Sequence, residues 1–192
     1  MTASTAGPFR VLGIAGSLRR ESFNRKLLAA CIDLAPPELH LTPYDISPIP
    51  LYNGDVETEG IPGPVQAFRD AIAAADALLF CTPEYNSGTP GVLKNAIDWA
   101  SRPPRGQPFH GKPAAIAGAT TGLWGTARSQ VQLRQTLTHL GALVLPTPNV
   151  FVAQAPSRFG PDGRLVDEPT REAVSAFLAA YVAFLSRMRG TT

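Results

Sequence analysis

The chain has 192 residues, 44% of them apolar, which suits a single domain with a sizeable buried core. Its 17 basic and 15 acidic residues leave a net charge of +2, too weak a field to argue for nucleic acid or an anionic membrane as partner. No apolar run approaches the ~18 residues of a membrane span, and the first residues lack the basic and apolar regions of a signal peptide, so a cytoplasmic protein is expected.

Residues 1–7 and 188–192 are small and polar enough to be frayed ends of a domain covering 1–192. An apolar run over 9–15 predicts a first strand covered on both faces, and a helix is expected over 22–34, stopped by Pro36 and Pro37. A second strand over 39–46 contains Pro43, which places it near a sheet edge. The Pro-, Gly- and Asp-rich stretch 47–62 reads as a loop, long enough to be functional. Pro64 opens a second helix with Val65, Phe68, Ile72 and Ala75 on one face, and 77–82 forms a third strand. A third helix over 90–100 follows the turn 83–89, and 112–119 is a fourth strand. After a loop at 120–125, a fourth helix runs to Leu140 with Gly141 as its cap. The fifth strand, 142–145, breaks at Pro146 and Pro148 and resumes at 150–152. A last helix presents Val174, Phe177, Leu178, Tyr181, Val182 and Leu185 along one stripe.

Strands alternating with helices indicate a doubly wound α/β sheet with helices on both faces. Ligands in such sheets sit beyond the carboxyl ends of the strands, so the loops after strands one, three and four are expected to converge. The first loop carries Ser17, Arg19, Ser22 and Asn24 at a helix start, where unpaired N–H groups and the helix dipole favour an anion such as a phosphate. Ser22 as a plain N-cap and solvated arginines are the alternative. The third loop, with Pro83, Glu84, Tyr85 and Asn86, offers backbone donors and an aromatic face to a flat ligand. Glu84 is open between orienting a neighbour, meeting a partner subunit and being solvated. The fourth loop, with Thr120, Thr121, Gly122 and Gly125, permits close backbone approach to another edge of the same ligand. Trp124 is open between walling that pocket and covering a sheet edge.

Rival chemistries lack their motifs. GxxxxGK[ST], GxGxxG and GxSxG are all missing, and where a cysteine phosphatase would close its loop with arginine after Cys81 the chain has Ser87. His40, His110 and His139 have neither metal spacing nor carboxylate neighbours. Cys31 and Cys81 read as buried hydrophobes rather than a disulfide or redox pair, which points to a reducing compartment.

From Val11 to about Leu185 the chain resembles the NADPH-dependent FMN reductase family of flavodoxin-like proteins, which includes quinone, azo-dye and chromate reductases. Gly16-Ser17-Leu18-Arg19 with Ser22 and Asn24 is similar to the family's phosphate loop. Thr82-Pro83-Glu84-Tyr85-Asn86, with Pro90-Gly91 through Asp98-Trp99, is similar to its flavin-ring signature. The resemblance implies a parallel sheet in the order 2-1-3-4-5. It also implies an FMN whose phosphate is held by Ser17, Arg19, Ser22 and Asn24, and whose ring is bordered by Pro83, Glu84, Tyr85, Asn86, Thr120, Thr121, Gly122 and Gly125. The implied reaction passes hydride from NADPH, or NADH, through flavin N5 to a small-molecule acceptor, with no protein acid or base. Arg19 or Arg20 is a candidate for the 2′-phosphate of NADPH. The implied assembly is a homodimer or homotetramer, with a partner subunit near the segment beginning Pro50-Leu51-Tyr52. Val131 and Asn149 depart from the chromate-reductase subgroup, which weighs against its tetramer contacts. The alternative within this fold, a flavodoxin-type electron carrier docking on a protein partner, fits poorly with the near-neutral charge and the arginines of the first loop.

Overall fold

The computed structural model describes residues 7–190. β1 (Phe9–Ala15), β2 (Leu39–Tyr44), β3 (Ala77–Cys81), β4 (Pro113–Ala119), β5 (Leu143–Val144) and β6 (Val150–Val152) form one parallel sheet. Its order is β2-β1-β3-β4-β5, with β6 also paired to β4. The predicted order is therefore observed, and β2 with its proline occupies an edge. The expected fifth strand is two short ones on the same side of β4: Leu143 and Val144 face Pro113 and Ala114, and Val150 to Val152 face Ala117 to Ala119. Pro146 and Pro148 account for the gap, since neither can donate to a ladder.

The helices are α1 (Phe23–Asp33), α2 (Gly54–Glu59), α3 (Gly63–Ala74), α4 (Gly91–Ala100), α5 (Ala127–His139) and α6 (Glu168–Arg189). The helix expected from residue 64 is α3, and α2 is an addition inside the stretch read as a loop. Residues 1–6 and 191–192, assigned to frayed ends, lie outside the described residues, whereas α6 extends through Met188 to Arg189, whose guanidinium carbon sits 3.7 Å from the Phe9 ring centroid.

Strand residues alternate between the two faces, as a period of two requires. Val11, Ala77, Leu79, Ala115 and Ala117 pack with Leu27 and Cys31 of α1 and with Val174, Phe177, Leu178 and Tyr181 of α6. Leu12, Ile14, Leu78, Phe80 and Ile116 pack with Phe68, Ile72, Leu93, Ile97, Leu133 and Leu137 of α3, α4 and α5. Burial on both faces removes solvent as a partner for the strands, so polar groups there need protein partners. Tyr181, fully buried, donates its hydroxyl to the Leu78 carbonyl at 2.8 Å, and burial drives its ionisation upward. Cys31 and Cys81 are buried free thiols, as expected; the hydrogen bond from Cys31 and burial both push the Cys81 thiol up, which suppresses the reactive thiolate.

Candidate functional site

The loops after β1, β3 and β4 open into one cleft of about 230 Å³, lined by Ser17, Arg19, Ser22, Phe23, Asn24, Pro83, Glu84, Tyr85, Ala119, Thr120 and Thr121. Nearly all the predicted site residues meet there; Asn86, Gly122 and Gly125 do not line it. A larger groove of about 790 Å³ lies between the carboxyl ends of α4 and α5, at the opposite end of the sheet, and contains none of the predicted residues.

The first loop leaves β1 at Gly16, whose N–H donates to the Cys81 carbonyl at 2.8 Å. A Cβ at Gly16 would stand 2.9 Å from Leu93 Cδ2, so the turn over α4 needs glycine or a shift of Leu93. Ser22 caps α1: its hydroxyl accepts from the N–H groups of Asn24 at 3.2 Å and Arg25 at 3.4 Å. The Ser22 hydroxyl proton is still free to be donated outward. The N–H groups of Leu18, Arg20, Glu21 and Phe23 have no acceptor among the described residues, and the exposed guanidinium of Arg19 forms no ion pair there. Orphan donors at a helix start beside an exposed cation offer an anion both hydrogen bonds and charge. Glu21, the nearby carboxylate, is held below its usual range by its hydrogen bond to Lys26, at 2.8 Å. Asn24 is placed differently from its neighbours. It is buried, donates Nδ2 to the Ala119 carbonyl at 2.8 Å and accepts the Ala119 N–H at 2.9 Å, so it joins the first loop to the end of β4. Only its second Nδ2 hydrogen remains for an anion.

In the third loop, Tyr85 and Gly88 exchange backbone bonds of 3.1 and 3.0 Å across Asn86 (φ 50°) and Ser87 (φ 63°). Two consecutive left-handed residues make a tight hairpin turn, tolerated by asparagine and strained for serine. Gly88 is fixed by crowding, because a Cβ would lie 2.7 Å from Gln132 Oε1. The turn leaves Tyr85 half exposed at the cleft and turns Asn86 away from its lining. Glu84 orients a neighbour. Its carboxylate accepts the N–H groups of Arg128 at 3.0 Å and Ser129 at 3.3 Å, and pairs with the Arg128 guanidinium at 2.6 Å.

Those bonds from the α5 N–H groups to Glu84 supply the cap that the residue at the cap position does not make. Thr126, at the cap position, is left-handed (φ 69°) and makes no capping bond; its hydroxyl accepts from Gln130 Nε2 at 3.0 Å. In the fourth loop Thr120 anchors to Val152 by a 2.9 Å backbone bond, and its Oγ1 accepts the Gly122 N–H at 3.3 Å. Gly125 is required by packing rather than by the cleft, since a Cβ would come within 2.6 Å of Phe151 Cβ at a left-handed position. Trp124 neither lines the cleft nor covers the sheet: it is 68% exposed, with the Arg128 guanidinium 5.3 Å from its ring centroid.

The stretch 47–62 docks on α4. Asn95 accepts the Tyr52 N–H and donates to the Pro50 carbonyl, both at 2.8 Å; Trp99 Nε1 donates to the same carbonyl at 2.9 Å. Tyr52 packs edge-on against Trp99 and donates its hydroxyl to Glu57, which raises the phenol's ionisation. Leu51 remains exposed on this segment.

The sequence profile of the NADPH-dependent FMN reductases matches residues 9–157. The chain belongs to the NADPH-dependent FMN reductase family. An NAD(P)H-dependent FMN reductase of Pseudomonas aeruginosa is 53% identical over 181 residues, covering 94% of this chain and 97% of that protein. A 2-hydroxy-1,4-benzoquinone reductase of a Burkholderia species is 40% identical over 180 residues, covering 94% and 98%. Among solved structures, the flavoenzyme NAD(P)H:(acceptor) oxidoreductase FerB of Paracoccus denitrificans superposes with a TM-score of 0.86 at 35% identity, over 94% of this chain and 98% of that one. The match to FMN reductases spans all three cleft loops.

Proposed function

We propose that the chain is an FMN-dependent NAD(P)H oxidoreductase that reduces a small acceptor, with quinones first among the azo compounds, metal oxyanions and free flavin that such chemistry serves. The observation that carries the reading is the convergence of the three loops on one cleft, with orphan N–H groups and the unpaired Arg19 at one end and Tyr85 at the other. That donor set fits a terminal phosphate, and the half-exposed Tyr85 beside the backbone of Pro83 and Thr120 fits a flat ring. When bound, FMN supplies the hydride acceptor and two-electron donor that no side chain here provides. The chain's own residues bind and orient. Arg19, Ser17, Ser22 and the loop N–H groups hold the phosphate; Asn24 fixes the first loop against β4; Pro83, Tyr85, Thr120 and Thr121 border the ring. NADPH is the proposed donor over NADH, with Arg19 and Arg20 offering cations to its 2′-phosphate.

The purified protein is expected to show a flavin absorbance band, and to oxidise NADPH with a quinone and no protein partner present. Single-turnover reduction by NADPH should outpace reduction by NADH. A protein that binds no FMN on reconstitution, or needs a partner protein to turn over, would overturn the reading in favour of a binding protein or an electron carrier.

We extend the reading to a cytoplasmic homodimer. Exposed Leu51 on the docked segment gives a second copy an apolar contact, and the two unpaired thiols suit a reducing compartment. No helix among the described residues is long and apolar enough to cross a membrane. Light scattering at twice the chain mass supports the dimer; a monomer at all concentrations refutes it.

A further inference from the structure

Trp124 presents more of its surface, 68%, than any other aromatic side chain among the described residues. An exposed indole is ordinarily free to change rotamer, but this one is held. The Arg128 guanidinium carbon lies 5.3 Å from the ring centroid, within reach of a cation–π contact. Arg128 is fixed in turn by Glu84, through Nε to Oε1 at 2.7 Å, a second guanidinium contact at 2.6 Å and its own N–H to Oε2 at 3.0 Å. Glu84 is 8% exposed on its side chain and lines the cleft beside Tyr85. A chain of contacts therefore runs from the cleft wall through Arg128 to an aromatic ring with one face covered by a cation and the rest open. Nothing in the core explains why the loop after β4 should carry so large an apolar group in solvent.

We propose that Trp124 is a platform on which a planar acceptor, a quinone, lies on its way to the cleft, and that Glu84 is a positioning residue acting on it through Arg128. This rests on the redox reading above and narrows its substrate class. An electron-rich indole stacks on an electron-poor quinone ring, whereas ferricyanide or a metal oxyanion has no flat face to offer. Trp124 thus selects among acceptors.

Tryptophan emission of the apoprotein tests the platform without turnover, because Trp99 is fully buried and the solvent-exposed component belongs to Trp124. Added 1,4-naphthoquinone is expected to quench that component saturably in the wild-type protein, and not in Trp124→Leu. Glu84→Gln and Arg128→Lys, each of which breaks the linkage at a different point, should raise the half-quenching concentration roughly three- to tenfold, the range of one aromatic contact. In the FMN-loaded enzyme, kcat/KM for the quinone divided by that for ferricyanide should fall by about the same factor in Trp124→Leu and Arg128→Lys, neither of which lines the cleft, through KM for the quinone. Unsaturable quenching, an unchanged ratio, or equal losses with both acceptors would overturn the proposal. So would a wild-type emission that shifts to the blue as the chain self-associates, which would assign Trp124 to a contact between copies. If the quenching holds while the loaded enzyme turns over neither acceptor, the redox reading fails and the aromatic platform stands alone.

Discussion

Asn24 and Ala119 exchange two hydrogen bonds, Nδ2 to the Ala119 carbonyl at 2.8 Å and the Ala119 N–H to Oδ1 at 2.9 Å, so a side chain completes the ladder on the edge of β4 where its pairing with β3 has ended. Both residues are buried, and water has no ready access to replace the bonds. Asn24→Ala is expected to cost about 2–4 kcal/mol in the urea unfolding of the apoprotein, because two buried backbone groups lose their partners at once. FMN affinity should fall with it, as the first loop loses its tie to β4. A loss below 1 kcal/mol would show that the loops do not depend on each other through this pair.

Arg19 separates phosphate recognition from ring recognition. It is exposed, unpaired among the described residues and on the cleft lining, so its removal should act on the ligand rather than on the fold. Arg19→Ala should weaken FMN by at least about tenfold, the lower range for a hydrogen bond to a charged group, and riboflavin much less. Flavin fluorescence titration with both ligands measures the difference. Equal losses would mean that the phosphate is held elsewhere.

The sheet was legible because β1, β3 and β4 lie under helices on both faces and must be apolar at successive positions, a pattern that survives without any knowledge of the neighbours. Helix α2 was not legible for the opposite reason. Its six residues bury no side chain, and what holds the segment is the local cap from Asn53 and the Tyr52 to Glu57 bond, neither of which has a periodic signature. The split of the edge strand could be read from Pro146 and Pro148, but not that both pieces would return to β4. In the cleft, residue types pointed to three loops that the fold brings together, but they did not show which protein groups two of the lining residues also bind. Asn24 faces the β4 backbone, and Glu84 caps a helix 43 residues further on, a long-range pairing that one sequence does not reveal. The sequence carries no warning of this, because threonine is a favoured cap by type and only the left-handed backbone of Thr126 shows that α5 must be capped from elsewhere.

Two glycines outside the first loop should respond in opposite directions. A Cβ on Gly118 would lie 1.9 Å from Thr126 Oγ1 and 2.5 Å from the Thr82 carbonyl oxygen, and the second of these is backbone that cannot rotate away. Gly118→Ala should therefore destabilise the protein by about 2–3 kcal/mol, the cost of overpacking a filled site. Gly91 opens α4 with nothing within 4 Å of a new Cβ, so Gly91→Ala should gain about 0.5–1 kcal/mol by restricting the unfolded chain. Thermal or urea melts of the pair check both signs.

Asp76 gives the acid limb of stability a defined contributor. Its hydrogen bond from the Arg10 side chain, with the Arg10 N–H at 2.8 Å adding a second, holds the carboxyl below its usual range. A depressed native pKa means that the unfolded chain takes up the proton first as pH falls. The stabilisation is therefore complete above the unfolded value of about 3.9 and disappears as pH drops through the lower native value. The pair is partly exposed, so its contribution is expected to stay within about 1 kcal/mol. Urea midpoints for wild type and Asp76→Asn should differ at pH 7 and draw together progressively as the pH falls below the unfolded value. A gap that persists unchanged in acid would assign the effect to the neutral hydrogen bonds, since only the charged part of the Arg10 interaction titrates.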